Sequence, residues 1–465
     1  MARIAFIITP ILSHLNATNL LAQMLRQRGH DIFYISENEE LKAVVELSGF
    51  EFRSVTTKAF DRLPEFNKRN KFNGWHAFIH RLKIQRQVNK IYLTTNILHD
   101  TIANVKPDLI FLDCQYIHYT VFLTQYRMIT FSTSFSLDKQ PNIPPLGSPI
   151  KIKDTLISHL RVEIVWQWYF LTNFLVDQKV KARYLWMYLG ITDLSLMRVL
   201  AKRVNFPFDK YIDRNREMFF RFKHIPEITL VPKCLELPHA KCRDYVGTSN
   251  TLLRKEPDAS LEIQEVFKTI KDKRKNGLKV IYCSLGTLSL EVFPKADILF
   301  EKIIKAAATL PDCLTIVSTG MIDPVRFNEH VSERVYIYQR LPQLEVLSFT
   351  DVLVFHGGLQ SLTESILNKV PVVCFPFTRL TDVYGNALRI VHHELGLQGK
   401  ICDEVQNIAD KISFVLVNHG RFLEKISIMR ESLLTEKIGL QLVEKIERFI
   451  QTSTWSDNEF EYKVN

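Results

Sequence analysis

Short apolar runs alternate with longer stretches of helical periodicity along most of the chain. The opening residues read "RIAFII", then "NATNLLAQMLRQRG", then "DIFYIS", then "ENEELKAVVELSG". The apolar runs have strand length, and the two amphipathic pieces close on Gly29 and Gly49, where a left-handed cap calls for a residue without Cβ. Strand and helix in alternation predict a parallel sheet covered by helices on both faces. The same rhythm resumes with "DLIFLD" (108–113) and "RMITFST" (127–133).

After the proline-rich "QPNIPPLGSP" (140–149) the rhythm breaks into a helical, aromatic-heavy insertion over about 151–226. Sheet-like runs return weakly at 228–232 and 243–247, and the polar "TSNTLLRKEPDAS" reads as a linker. A second alternating series begins near 261, with strand-like runs at 279–286, 314–320, 335–341, 351–358 and 371–376, then helices to the end. The expectation is an α/β protein of two parallel-sheet domains, 1–247 and 261–465, joined by a linker at 248–260. The last helix is a candidate for crossing back to the first domain. In open parallel sheets a ligand sits beyond the carboxyl ends of the strands, so the residues just after each strand carry the functional reading.

Composition narrows this picture only a little. A chain of 465 residues has room for two cores, and 46% hydrophobic with 24% charged residues is ordinary for a globular protein. The formal charge of +10 is scattered rather than massed, and no nucleic-acid docking motif accompanies it, so no nucleic-acid partner is expected. Seven cysteines, none in a C-x-x-C spacing and several inside apolar runs, read as reduced core thiols. With no cationic, apolar leader and no run of about 18 apolar residues, the expected compartment is the cytoplasm.

The stretch "FHGGLQSLTES" (355–365) places an imidazole and two glycines where a strand stops and a helix starts. Gly357 and Gly358 let a ligand approach the backbone, and the amides at the helix start make a seat for phosphate. His356, Gln360 and Ser361 can add donors. Glu364 lies two turns from His356 near the same face, at a reach that suits a ribose diol. Alone, an H-G-G triplet is a weak signal, since glycine at such a junction often serves the turn only.

The surroundings add to it. "RLPQLEVL" (340–347) precedes the stretch and "PFTRLTDVYGNA" (376–387) follows it. The ordered set resembles the nucleotide-sugar signature of the family-1 UDP-glycosyltransferases: P-Q, then H-x-G-x-[NQ]-S-x-x-E, then P with D-Q and N-A. The resemblance runs from Pro342 to Ala387, and the two-sheet layout extends it over most of the chain. It implies the GT-B fold, two facing Rossmann-like domains with a cleft between them. It further implies that His356 and Ser361 bind the diphosphate with Gln360 near it, that Glu364 holds the ribose hydroxyls, and that Gln343 lies on the uracil side. Ser284, Gly286 and Thr287 of "SLGT" match the loop facing the diphosphate.

There are departures from the pattern. Arg340 stands where plant members have a tryptophan that stacks on uracil; a guanidinium can also stack. The D-Q pair that grips the donor sugar appears as Asp382 and Val383, so one sugar contact is missing and the identity of the sugar is open.

A transfer to a hydroxyl needs a base beside the acceptor oxygen, and histidine titrates in the right range. His14 follows the first strand at the mouth of the first helix. Asp113 ends a later strand on the same sheet edge and can fix the imidazole tautomer. Taken alone, Asp113 reads equally as a cap for a helix in "YIHYTVFLTQY". The resemblance favours the dyad, because family-1 enzymes carry this pair in corresponding places.

No metal is needed if helix dipoles and His356 take the charge of the leaving group, and no metal-ligand cluster stands out in the sequence. His392 and His393 are expected to be a solvated surface pair. Ser132, Thr133 and Ser134 lie at the cleft edge and are candidates for sugar or acceptor contact, with Trp166 and Phe170 as an apolar wall for a lipophilic acceptor. Basic residues in the same region (Arg161, Lys179, Lys181, Arg183) leave shallow contact with a membrane surface open.

Taken together these readings point to an inverting glycosyltransferase with a UDP-hexose as co-substrate, acting on a phenolic or polyketide-like small molecule, with no further cofactor. Two alternatives stay open: a dTDP-deoxysugar enzyme of the antibiotic type, and a non-catalytic nucleotide-sugar-binding protein of the same fold.

Overall fold

The computed structural model describes residues 1–55, 97–150, 155–188, 201–218, 220–238, 259–286, 296–379, 381–435 and 438–455, with 79, 152, 197–198 and 244–245. Thr287 and most of the expected linker at 248–260 lie outside these residues, as do the side chains of Lys181 and Arg183.

Strand β1 (Arg3–Ile7) leads into the helix Leu12–Gln27, and β2 (Asp31–Ser36) into the helix Glu40–Leu47. β3 (Glu51–Ser54), β4 (Leu109–Asp113) and β5 (Met128–Ser132) follow. β6 (Ile212–Asp213) and β7 (Arg221–Phe222) form a small antiparallel ribbon. With β8 (Glu227–Thr229) and β9 (Asp244–Tyr245) the first sheet is complete in the order β3-β2-β1-β4-β5-β8-β9, parallel throughout.

The second sheet contains β10 (Lys279–Ser284), β11 (Cys313–Ser318), β12 (Val335–Tyr338), β13 (Val352–Phe355), β14 (Val372–Cys374) and β15 (Gly396–Gln398). Its order is β12-β11-β10-β13-β14-β15, again parallel. Strands at the centre are buried on both faces, as helical cover on both sides requires: every residue of β4 and of β13 is buried. Each such Leu, Ile or Val contributes roughly 1.5–3 kcal/mol relative to exposure.

In both sheets the strand order reverses beside the first strand, between β1 and β4 and between β10 and β13. Connections leave in opposite directions at such a point and open a crevice at the carboxyl ends. His14 and Asp113 follow β1 and end β4 in one sheet, and Ser284 and His356 end β10 and follow β13 in the other.

The two halves share packing. Phe135, Leu137, Leu146, Val231 and Leu235, from the first half, belong to the core cluster of the second sheet. In return the last helix, Ile438–Thr452, lies on the first sheet's cluster through Leu442, Val443, Ile446 and Phe449. Glu447 of that helix pairs with Arg28 at 2.6 Å and His30 at 3.2 Å.

The periodicity does not single out β3 or β15, which are four and three residues long and are defined by their neighbours β2 and β14. The segment expected as a helix after Asp113 is a 3-10 stretch, Cys114–Phe122, kinked at Tyr116. The aromatic insertion is dominated by one long helix, Leu156–Tyr188.

Candidate active site

At the first crevice, the Asp113 carboxylate is fully buried and gathers four donors. Oδ2 lies 2.6 Å from His14 Nδ1 and accepts the Thr9 hydroxyl at 2.7 Å and the Thr9 amide at 3.2 Å; Oδ1 accepts the Gln115 amide at 3.0 Å. The two sequence readings of Asp113, cap and imidazole partner, are therefore both realised, one by each oxygen.

The bond to Nδ1 leaves His14 Nε2 on the cleft side, 3.2 Å from Gln115 Nε2 and 3.4 Å from Thr133 Oγ1. Burial pulls the His14 pKa down, but the charge and hydrogen bond of Asp113, helped by the more distant Asp382, outweigh it and hold the imidazole above its ordinary value of 6.5. For Asp113, burial pushes the carboxyl up; His14, the Gln115 amide and the Thr9 hydroxyl overcome that and keep it below the usual range.

Of the three candidates at the end of β5, Ser132, Thr133 and Ser134, Thr133 is the one brought to His14. Ser132 is buried with its hydroxyl 3.1 Å from the Ser134 hydroxyl, so these two satisfy each other.

At the second crevice, His356 is wedged between glycines. A Cβ on Gly286 would stand 2.7 Å from the ring's Cε1, and one on Gly358 would stand 2.8 Å from Nε2. Gly357 has φ +100°, and a Cβ there would come within 2.9 Å of Cys374 Sγ. The backbone can reach this path and the imidazole can occupy this slot only without side chains. Burial pushes the His356 pKa down to about 4, so the ring is a neutral donor and acceptor at pH 7. Among the described residues its Nδ1 is buried without a hydrogen-bond partner. The helix Leu359–Leu367 begins after Gly358, which places no side chain over the first-turn amides.

Glu364, on the next turns of that helix, is fully buried. One oxygen accepts from Gln360 Nε2 at 3.2 Å and the other from Gln343 Nε2, which also lies 3.1 Å from Ser361 Oγ. Gln343, Gln360, Ser361 and Glu364 thus form one connected cluster. Arg340, three residues before Gln343 in the chain, is exposed.

Asn386 ties the second crevice together. Its amide group donates to the Gly357 carbonyl at 2.9 Å and to Asp382 Oδ2 at 3.0 Å. Asp382 in turn is close enough to His14 for each to shift the other's pKa; burial is the larger influence on Asp382 and pushes it up. Asp382 thus relates His14 to the side of the second sheet that carries Gly357 and His356.

Four residues of this arrangement were not anticipated as site members; one of them, Asn386, stands at the N-A of the family pattern. Thr9 and Gln115 could have been found by reading the second residue beyond each strand end. Glu217 has no local signal. It is buried, and its carboxylate accepts the amides of Leu146 and of Gly147, the latter at 2.8 Å. That loop meets the second domain: a Cβ on Gly147 would lie 2.4 Å from the Arg379 carbonyl, and one on Gly385 would lie 2.5 Å from Leu146. Burial, with a smaller push from Asp382, raises the Glu217 carboxyl to about 7.

Two expectations need correction. Trp166 is 2% exposed, and its indole N–H donates to the Ile143 carbonyl at 2.7 Å, so it is a core side chain rather than an open wall. Phe170 stacks on it at 5.5 Å and stays half-buried. His393 is not solvated like its neighbour His392: its Nε2 lies 3.1 Å from the Leu235 carbonyl, across the seam between the halves. Beside it, Arg389 is buried against Glu236 and over the Phe135 ring at 3.8 Å. Outside the cleft, Glu301, Glu329 and His330 bring ligand atoms within 4.8 Å of one another, but Lys305 already pairs with Glu301.

Residues 230–402 match the family described as UDP-glucoronosyl and UDP-glucosyl transferase. UDP-glycosyltransferase 76E1 of Arabidopsis thaliana is 38% identical over 117 residues, which are 23% of this chain and 25% of that protein. The chain spans less than half the length of the curated relatives it matches.

Among solved structures, the glycosyltransferase of kitacinnamycin superposes with a TM-score of 0.60 at 18% identity, covering 97% of this chain and 99% of that one. Glycosyltransferase VinC in complex with dTDP gives 0.59 at 13%, with 97% and 99% covered. At such identities the likeness speaks for the fold: two Rossmann-like domains of the GT-B type.

Proposed function

We propose that this chain, whose residues 230–402 belong to the UDP-glucoronosyl and UDP-glucosyl transferase family, is an inverting glycosyltransferase. Its donor is a nucleotide-sugar, a UDP-hexose in the first instance, and its acceptor is a hydroxyl of an apolar small molecule of phenolic or polyketide type. One observation carries the reading: the 2.6 Å contact from Asp113 to His14 Nδ1 leaves Nε2 facing the cleft that also holds the glycine-walled His356.

The chemistry is a single displacement. The acceptor oxygen attacks the anomeric carbon as its proton passes to His14 Nε2, and Asp113 stabilises the imidazolium that forms. The bond from the anomeric carbon to the phosphate oxygen breaks, and its electron pair leaves with the nucleotide diphosphate. Attack from the face opposite the leaving group inverts the configuration. His356, the first-turn amides of the helix Leu359–Leu367 and the loop of Ser284 and Gly286 take up the developing charge, so the reaction is proposed to run without a resident metal or cofactor.

A buried carboxylate already anchored by Gln343 and Gln360 supports a ribose diol as the ligand of Glu364, hence UDP rather than dTDP. A dTDP-deoxysugar donor is the second reading. Val383 in place of the sugar-gripping glutamine favours it, as does the dTDP bound to VinC.

The test is transfer from UDP- and dTDP-sugars to a mixed phenolic and polyketide panel, read by mass spectrometry, with donor binding by calorimetry. Transfer lost in His14→Ala supports the mechanism. Equal rates in the two proteins remove His14 from it, binding without any turnover supports the non-catalytic alternative, and binding of dTDP-sugars alone overturns the donor assignment.

A further inference from the structure

We propose that the outer face of the helix Leu156–Tyr188 docks on an anionic phospholipid bilayer. The inner face of this helix is accounted for: Ser158, Val162 and Trp166 are buried against the body of the first half. The opposite face carries Ile157, Leu160, Ile164, Trp168, Leu171 and Leu175, each between 48% and 67% exposed. At about 100° per residue these six fall within roughly 80° of arc, and at 1.5 Å per residue they run for about 27 Å. A continuous apolar stripe of that length on a monomer's surface marks an interaction site.

The charges beside the stripe select the partner. Arg161 and Lys179 are exposed on one shoulder, about five turns apart and so at one angle around the helix axis. The acid on the other shoulder, Glu163, is already paired with Lys139 at 2.5 Å. An apolar face with Trp and Leu, edged by cations whose nearby acid is neutralised, suits the boundary between headgroups and acyl chains of an anionic bilayer. Among the described residues no helix is long and apolar enough to cross a membrane, so the helix would lie along the surface. A protein partner of matching shape would need acidic groups facing Arg161 and Lys179, and a second copy pairing in parallel would set these cations against each other.

The inference stands apart from the proposed transfer reaction, since binding to lipid requires no turnover, and either can fail without the other. If both hold, the helix would bring the cleft to the phase in which an apolar acceptor collects.

The test is co-sedimentation of the full chain with vesicles of phosphatidylcholine, with and without phosphatidylglycerol, at low and high salt. Wild type is expected to bind the phosphatidylglycerol vesicles and to weaken with salt. The double variant Leu171→Glu/Leu175→Glu is expected to lose about tenfold or more in affinity. Arg161→Gln/Lys179→Gln is expected to lose the preference for the anionic lipid while its weaker binding to phosphatidylcholine persists. Far-UV circular dichroism and UDP binding should be unchanged in both.

Absence of vesicle binding at low salt, or binding that neither variant alters, overturns the proposal. Under the first of these outcomes, light scattering that shows a dimer dissociated by Leu171→Glu/Leu175→Glu assigns the face to a second copy. A monomer whose Tm falls in that variant assigns it to another part of this chain.

Discussion

The carboxylate of Asp113 holds His14 with one oxygen, 2.6 Å from Nδ1, and the start of its own following turn with the other, 3.0 Å from the Gln115 amide. Because the carboxylate is anchored independently of the imidazole, the ring has a fixed direction in which to lean. In the proposed reaction Nε2 then points where an acceptor hydroxyl has to arrive.

Replacing the ring tests this first. His14→Ala should lower transfer by about 10²–10⁴-fold, the usual contribution of a positioned base. The donor Kd measured by calorimetry should not change. Asp113→Asn should cost a comparable factor, because the amide cannot both accept from the ring and favour its charged form.

The pH profile follows from the same pair. Transfer needs the neutral ring, and His14 is held above 6.5. The rate should therefore fall as the pH falls, with the inflection of kcat/KM above that ordinary value. In Asp113→Asn the carboxylate's pull is gone while burial remains, so the inflection of the residual activity should move down. An inflection that stays in place would show that another group is being titrated.

Glu364 separates the two donor readings. Losing a buried, anchored carboxylate that binds a diol should weaken UDP by about 10–100-fold, equivalent to roughly 1.4–2.8 kcal/mol. For dTDP, which lacks the 2′-hydroxyl, the loss in Glu364→Ala should be smaller. Titration calorimetry with the two diphosphates reads the difference directly.

At the seam between the halves, Arg389 and Glu236 are buried as a pair. Arg389→Met leaves Glu236 without its guanidinium and should cost about 3–5 kcal/mol in urea unfolding. Arg389→Met/Glu236→Gln should recover part of that loss, because the stranded charge is gone.

Glu217 makes stability depend on pH. Its folded pKa of about 7 lies above the ordinary 4.5, so the folded state binds its proton more tightly than the unfolded chain does. The resulting stability is fully present below 4.5 and is lost as the pH rises to about 7, a span worth about 3 kcal/mol. Glu217→Gln should flatten this part of the curve of unfolding free energy against pH. It should also loosen the Leu146–Gly147 loop, which hydrogen exchange would register.

Much of the donor side was legible in advance because its determinants are local. Gly357, Gly358, Gln360, Ser361 and Glu364 act through one strand-to-helix junction, and a helix of known pitch places them on one side. The acceptor side was harder. Thr133 and Ser132 are neighbours in sequence, yet only the first reaches His14, since successive side chains leaving a strand point to opposite sides. Trp166 looked like a wall for a ligand because an aromatic run does not reveal which of its members the body will cover. The period of the helix separates the two faces but does not say which is inside.

The order of residues by itself determined the alternation of strands and helices, hence two parallel sheets, and the chemistry offered at each strand end. Local propensity and side-chain period act over a few residues and are written in those residues. Which oxygen of Asp113 meets a histidine 99 positions away, and which loop Glu217 steadies from 70 positions away, were decided only by the folded chain. Such contacts depend on how separately formed layers close on one another. The same closure decided that one face of the helix Leu156–Tyr188 would be left in the open.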